Sequence, residues 1–408
     1  MVSNPLAEVH VIRRWAPGLG LVWAGCSGGS DKGDGASDTP AVDSPADSDT
    51  DADTDADTDA DSDTDTDTDV EPAGLPVLGG GTHDVADVVV TVVLDAGDGL
   101  LWPTDVAFHP DDPEQLWITN RGDDTMVLVD DPAGAAVVDL RHDPVTSNHF
   151  LAKPSSLAFG APGVLGTIHD EHERTQGPFG TPPDFMGPTL WSADPSIFDA
   201  GDPSHLDMLH NSPDGVGIAW AGDHVYWVFD GTHGSLTRYD FGQPHELGGT
   251  YHGDGIIQRW VEGEVARGPD SVGHLAYDDA TGFLYVADTG HARLARLDTA
   301  SGQEGRLYGP AYDTPDQYKW DDAVLDTLVD GSAIGLEAPA GLELSGGLLW
   351  VTDAATATIW AFDLSGNAVD WLPTGRTAGA LQGLTLDANG DLWVVDARAG
   401  ELLHVAPR

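Results

Sequence analysis

Four side chains in this sequence are of the types that hold a divalent metal, and they stand where a repeated framework would bring them to one rim: His149, His169, Asp214 and His274. Imidazole nitrogens with a carboxylate are the donor set of zinc, and carboxylate oxygens that of calcium, so calcium or zinc is the cofactor they imply. His169 opens the run His169-Asp170-Glu171-His172-Glu173, a local concentration of such donors. His210 lies near enough in the chain to join His149 and His274. A metal on that rim would serve a hydrolase or lyase; without one, the same rim would serve a ligand- or protein-binding module. A second group, Pro244-His245 and Tyr251-His252-Gly253-Asp254-Gly255, reads mainly as a glycine-rich turn, with a His/Asp ion site as the lesser alternative. Nothing has the spacing of a nucleophile elbow, a phosphate loop or a zinc-protease helix.

The elements that would position these groups come from an internal repeat. A strand of the form Leu-aromatic-Val-x-Asp recurs, ending at Asn120, Asp230, Asp288, Asp353 and Asp396, with a degenerate sixth copy ending at His169. Ahead of each copy lies a short apolar strand led by proline or small residues, as in Pro103-Thr104-Asp105-Val106-Ala107-Phe108. In four copies a further aspartate follows ten residues after the first: Asp130, Asp240, Asp298 and Asp363. A constant offset requires the same turn and strand each time. The repeated carboxylate is expected to accept backbone N–H groups in the turn after its strand. Strand-rich repeats of this length are propeller blades, which predicts an all-β chain folded as a six-bladed β-propeller.

Over roughly residues 99–408 the repeat resembles the NHL family, best in Leu284 to Gly302, which matches the second and third strands and the turn that follows. The chain stops after the third strand of the sixth copy, so Val85 to Leu94 is expected to close the last blade as its outer strand, abolishing the open edge. Asp170 to Asn211 is expected as an insertion in blade 2, and a stretch around Ala311 to Glu337 as a smaller one in blade 4. Propellers of this kind bind ligands around the channel on the face where the inner strands begin, the near face below. Asp105, Ser156, Asp214 and His274 are expected there, with His233 and His291 in adjoining turns. His274 also makes the chain similar to peptidylglycine amidating lyase, a propeller in which histidines at inner-strand starts hold zinc. Only one of six starts here carries the histidine, so the three-histidine pattern is absent.

Charge narrows the partners. The 408 residues carry 69 acids against 17 bases, a net charge of -52. Beyond residue 75 there remain 51 acids and 14 bases, so the folded part is itself acidic. Such a surface repels phosphate backbones and anionic headgroups, which excludes nucleic acid and leaves an extracellular ligand or protein as the expected partner of a monomer. Cys26, the single cysteine, permits no intrachain disulfide. It ends Leu21-Val22-Trp23-Ala24-Gly25-Cys26 after Arg13-Arg14, which looks like a bacterial lipobox. A signal peptide over 1–25, lipidation of Cys26 and a disordered Asp/Thr-rich tether over 26–80 are expected, with the propeller spanning 81–408. Contact with the membrane would be through the lipid alone, placing the protein in the cell envelope, at the outer membrane, or outside the cell.

Overall fold

The computed structural model describes residues 74–143, 149–174, 185–199, 204–309, 312 and 314–408. The expected signal peptide, Cys26 and the tether up to residue 73 lie outside them. Among the described residues no helix is long and apolar enough to cross a membrane.

Six sheets form, antiparallel but for one strand pair in blade 3, one sheet for each copy of the repeat, and their inner strands touch in a closed ring. Those strands are Pro103–His109, Pro154–Phe159, Gly215–Trp220, Leu275–Asp278, Pro339–Ser345 and Leu381–Leu386. Each second strand ends on the residue at which its motif ends: Asn120, His169, Asp230, Asp288, Asp353 and Asp396. The four third strands marked by the ten-residue offset end at Asp130, Asp240, Asp298 and Asp363. The chain is thus a six-bladed β-propeller. Val88–Leu94 pairs antiparallel with Glu401–Pro407 and closes the last blade.

The strands are apolar on both faces because each sheet is packed between two others. In blade 1, Leu116 and Ile118 face blade 6 and join Trp393 and Leu402, while Trp117 faces blade 2 and joins Leu157 and Trp191. Blade 2 is the exception, with Gly166 where other blades carry an aromatic residue. A side chain there would collide with the Tyr226 ring of blade 3, so the glycine makes room for a neighbour.

Two expected insertions need correction. The stretch Asp170 to Asn211 is not a simple insertion, since it holds the third and fourth strands of blade 2, Thr189–Ser192 and His205–Met208. The stretch around 311–337 contains the outer strand of blade 4, Val324–Asp330, preceded by Asp316–Asp321, which pairs parallel with Ile256–Trp260 of blade 3. With Gln303–Leu307 it extends blade 3 to six strands. Ordered packing also begins before residue 81: Val77 and Leu78 are buried in the core between blades 5 and 6, and Asp370 accepts the Leu75 and Gly81 N–H groups.

Candidate functional site

The repeated aspartates do what short carboxylates do at strand ends. Asp353 accepts the N–H groups of Glu337, Ala338 and Ala355, Asp288 that of Ala266, and Asp396 that of Ala399. His233 and His291 each pair with the aspartate three residues before them, at 2.7 and 2.9 Å. These groups hold turns at the near face.

The near end of the channel is closed. Thr104 donates to Pro154 O, Ser155 to Gly215 O, Thr289 to Pro339 O and Thr352 to Gln382 O, stitching blade to blade around the axis. Beside them Asp170 bridges Arg121 and Arg267, with both contacts at 2.6 Å. Burial works to raise the Asp170 pKa, but the two guanidinium groups outweigh it and hold the carboxyl below its ordinary value. Beside these contacts the axis keeps a void of about 10 Å³, and a separate pocket of about 350 Å³ opens on the same face over the turns of blades 4 to 6, lined by Asp270, Ser271, Glu337 and Arg398.

The opposite, far end opens into a cavity of about 320 Å³ that all six inner strands line. Strand pairing aligns the strands column by column. The deeper layer reads Asp105, Ser156, Gly217, His274, Gly341 and Gly383 from blade 1 to blade 6. The next reads Ala107, Ala158, Ala219, Ala276, Glu343 and Thr385. Small residues dominate because adjacent inner strands approach closely: a Cβ on Gly217 would lie 2.2 Å from Gly273 O, and one on Gly341 2.3 Å from Gln382 O. Against that background Asp105, His274 and Glu343 stand out.

Asp105 is fully engaged. Its Oδ2 accepts the Ser156 hydroxyl at 2.7 Å and the Leu157 N–H at 2.9 Å, and its Oδ1 accepts the Val106 N–H at 2.8 Å. His274 Nδ1 lies 3.4 Å from Asp105 Oδ1, and its buried Nε2 has no hydrogen-bond partner. The carboxylate therefore stands between the hydroxyl and the imidazole, the wrong order for a serine activated by histidine. Glu343, four of whose five counterparts in the layer are alanine, has no hydrogen bond or ion pair among the described residues. Burial, reinforced by the nearby Asp105 charge, pushes its pKa up to about 8.

The four residues expected to form one metal centre go to separate places. His149 lies 3.3 Å from His210, nitrogen to nitrogen, with both rings stacked on Phe185. His169 is fully buried, contacts Gly187 O at 3.0 Å and Thr167 Oγ1 at 3.2 Å, and burial lowers its pKa to about 4. It anchors the chain returning from blade 2's long connection. Asp214 accepts the Thr232 hydroxyl at 2.7 Å and pairs with His172 at 3.3 Å. Only His274 lines the channel. Pairing by strand register had joined residues that the closed near end and the blade 2 connection keep apart.

Among the described residues, the two groups of three or more metal-donor side chains with ligand atoms within 4.8 Å of one another are Asp207, His245 and His252, and Asp387, Asp391 and His404. Neither contains the four expected ligands. The second is committed to its own turn: Asp387 accepts two backbone N–H groups, and His404 pairs with Asp391 at 3.1 Å. Sequence reasoning missed Glu343 and Asp207. Glu343 was visible as the one acid in a column of small residues once the six inner strands are aligned; Asp207 lay in a stretch whose repeat was not recognised.

No family model matches the chain, and no curated protein matches it. Similar solved structures include an auxiliary nutrient binding protein from Bacteroides ovatus, 13% identical over 79% of this chain and 77% of that one, with a TM-score of 0.49. A gluconolactonase from Xanthomonas campestris is 15% identical over 79% and 90% of the two chains, with a TM-score of 0.48. Virginiamycin B lyase from Staphylococcus aureus is 12% identical over 78% and 99%, with a TM-score of 0.45. At these identities the likeness concerns the fold alone.

Proposed function

We propose that this protein is a surface-displayed binding module whose far-end cavity captures the ammonium group of a small organic cation. The observation that carries this reading is Glu343, a carboxyl placed among four alanines and a threonine with no partner among the described residues. An unpaired acid in a cavity is a vacancy for a positive group. Asp105 adds negative charge one layer deeper, and no lysine or arginine among the described residues lines the cavity. At the rim, Trp220 and Tyr277 offer aromatic faces, which attract cations through their ring quadrupoles. Display on the envelope belongs to the same reading, through a lipid on Cys26 and the Asp-rich tether.

Glu343 holds its proton at neutral pH, so taking up an ammonium ion would displace that proton to solvent as the carboxylate forms. Affinity should then rise with pH and level off above about 8. Calorimetric titration with butylamine, tetramethylammonium and neutral butanol tests this. The cations should bind and butanol should not, butylamine should release close to one proton per ligand at pH 7, and Glu343→Gln should abolish both signals. Equal binding of butanol, or cation binding that persists in Glu343→Gln, would refute it. Among the described residues, neither group of three metal-donor side chains lines this cavity, so the binding reading is preferred here to a metal-dependent hydrolase or lyase.

A further inference from the structure

At the periphery, the outer strand of blade 2 meets the loop that follows the third strand of blade 3. His205–Met208 supplies Asp207, whose side chain is completely buried, and the loop supplies His245 and His252. The ligand atoms of these three lie within 4.8 Å of one another.

Their hydrogen bonds are arranged as those of metal ligands are. His245 Nδ1 lies 2.7 Å from Glu246 O, and a carbonyl can only accept, so Nδ1 carries the proton. That fixes Nε2 as a bare lone pair, and Nε2 is buried with no partner. Asp207 Oδ1 is held by the Met208 N–H at 2.8 Å and by His252 Nδ1 at 2.6 Å, while Asp207 Oδ2 is also buried with no partner. A buried carboxylate oxygen and a buried imidazole lone pair are both acceptors, so neither can satisfy the other. Only a shared donor or a cation relieves both. A ring nitrogen oriented by a backbone carbonyl on its far side is the outer-shell support that metal-binding histidines use.

His205 packs its ring 5.1 Å from that of His245, walling one side of the group. Asp254, two residues after His252, is not part of the group; it accepts the Gln243 N–H and shapes the turn.

We propose that Asp207, His245 and His252 bind a zinc-type divalent ion that staples the loop 241–255 of blade 3 to the outer strand of blade 2. Two imidazoles and one carboxylate suit zinc, and three protein ligands leave a position for water. The site is separate from the channel and does not depend on the ammonium reading.

The test uses the full chain, stripped with a chelator and titrated with zinc against a competing chromophoric chelator, because the acidic surface and tether bind divalent ions weakly. One zinc per chain should bind in competition with the chelator and raise the melting temperature. Cobalt in place of zinc should give the intense visible bands of a four- or five-coordinate ion. His245→Ala alters a partly exposed loop residue and should keep the fold while losing at least about 100-fold in zinc affinity and all of the thermal shift. Asp207→Asn should do the same if it folds, and Glu343→Gln should bind zinc normally. Zinc affinity in His245→Ala equal to that of the unaltered chain, or a cobalt spectrum of the six-coordinate aquo ion, would overturn the site.

Discussion

Asp105 and Glu343 line the same channel in successive layers, and among the described residues Asp105 accepts three hydrogen bonds and Glu343 none. The first carboxylate is built into the wall; the second is left for something else. Because burial and the Asp105 charge both disfavour its ionised form, Glu343 keeps its proton to about pH 8.

This has a consequence for stability. In the unfolded chain Glu343 loses its proton near its ordinary value of 4.5, whereas in the folded protein it does so near 8. Between those values the folded state binds more protons, so the contribution is fully present below pH 4.5 and is lost as pH rises through 8. Glu343→Gln has no such titration. Urea unfolding of both proteins at pH 5 and pH 8.5 should show the variant gaining stability relative to the unaltered chain at the higher pH. A difference that does not change with pH would contradict the assignment.

Leu78 tests where the propeller begins. It is wholly buried with Val77, Leu372 and Leu403, ahead of the clasp strand and outside the expected domain boundary at 81. Leu78→Ala should cost about 2–4 kcal/mol, the usual range for emptying a packed leucine site. Chemical denaturation measures it. A loss below about 0.5 kcal/mol would place residues 75–80 in the tether, as the sequence alone suggested.

Cys26 is tested by fractionation. Replacing it with serine should move the protein from the membrane fraction to the soluble one, since a diacylglyceryl group would be its only hold on the bilayer. Unchanged partitioning would remove lipidation from the reading of this protein.

The blades were legible because the sequence repeats what the geometry repeats. The motif ending in Asp230, Asp288 or Asp353 carries both the strand and the carboxylate that closes the next turn, so a single pattern located strand ends to the residue. Blade 2 was harder. Its second strand carries Gly166 and His169 in place of the aromatic and the aspartate, and its outer strands fall in a stretch that looked like loop. The site was least legible, since it depends on which end of the channel is open. That is decided by hydroxyls such as Thr104, Ser155 and Thr289 donating across blades, and a threonine or serine in a strand or turn gives no sign of where it donates. His149 and His210 did converge, but on each other and Phe185 rather than on His274.

The parallel pairing of Asp316–Asp321 with Ile256–Trp260 also governs how the ring can open. A strand from blade 4's connection caps the edge of blade 3, with Trp320 stacked on Trp260 at 4.8 Å and Lys319 paired with Glu262. Blade 3 cannot fray outward until that strand detaches, and its detachment strips blade 4 of the chain that leads into its own outer strand. Amide protons of Ile256–Trp260 and Val324–Asp330 should therefore exchange with solvent as one cooperative unit, while the other four blades, each ending in a single outer strand, exchange independently of them.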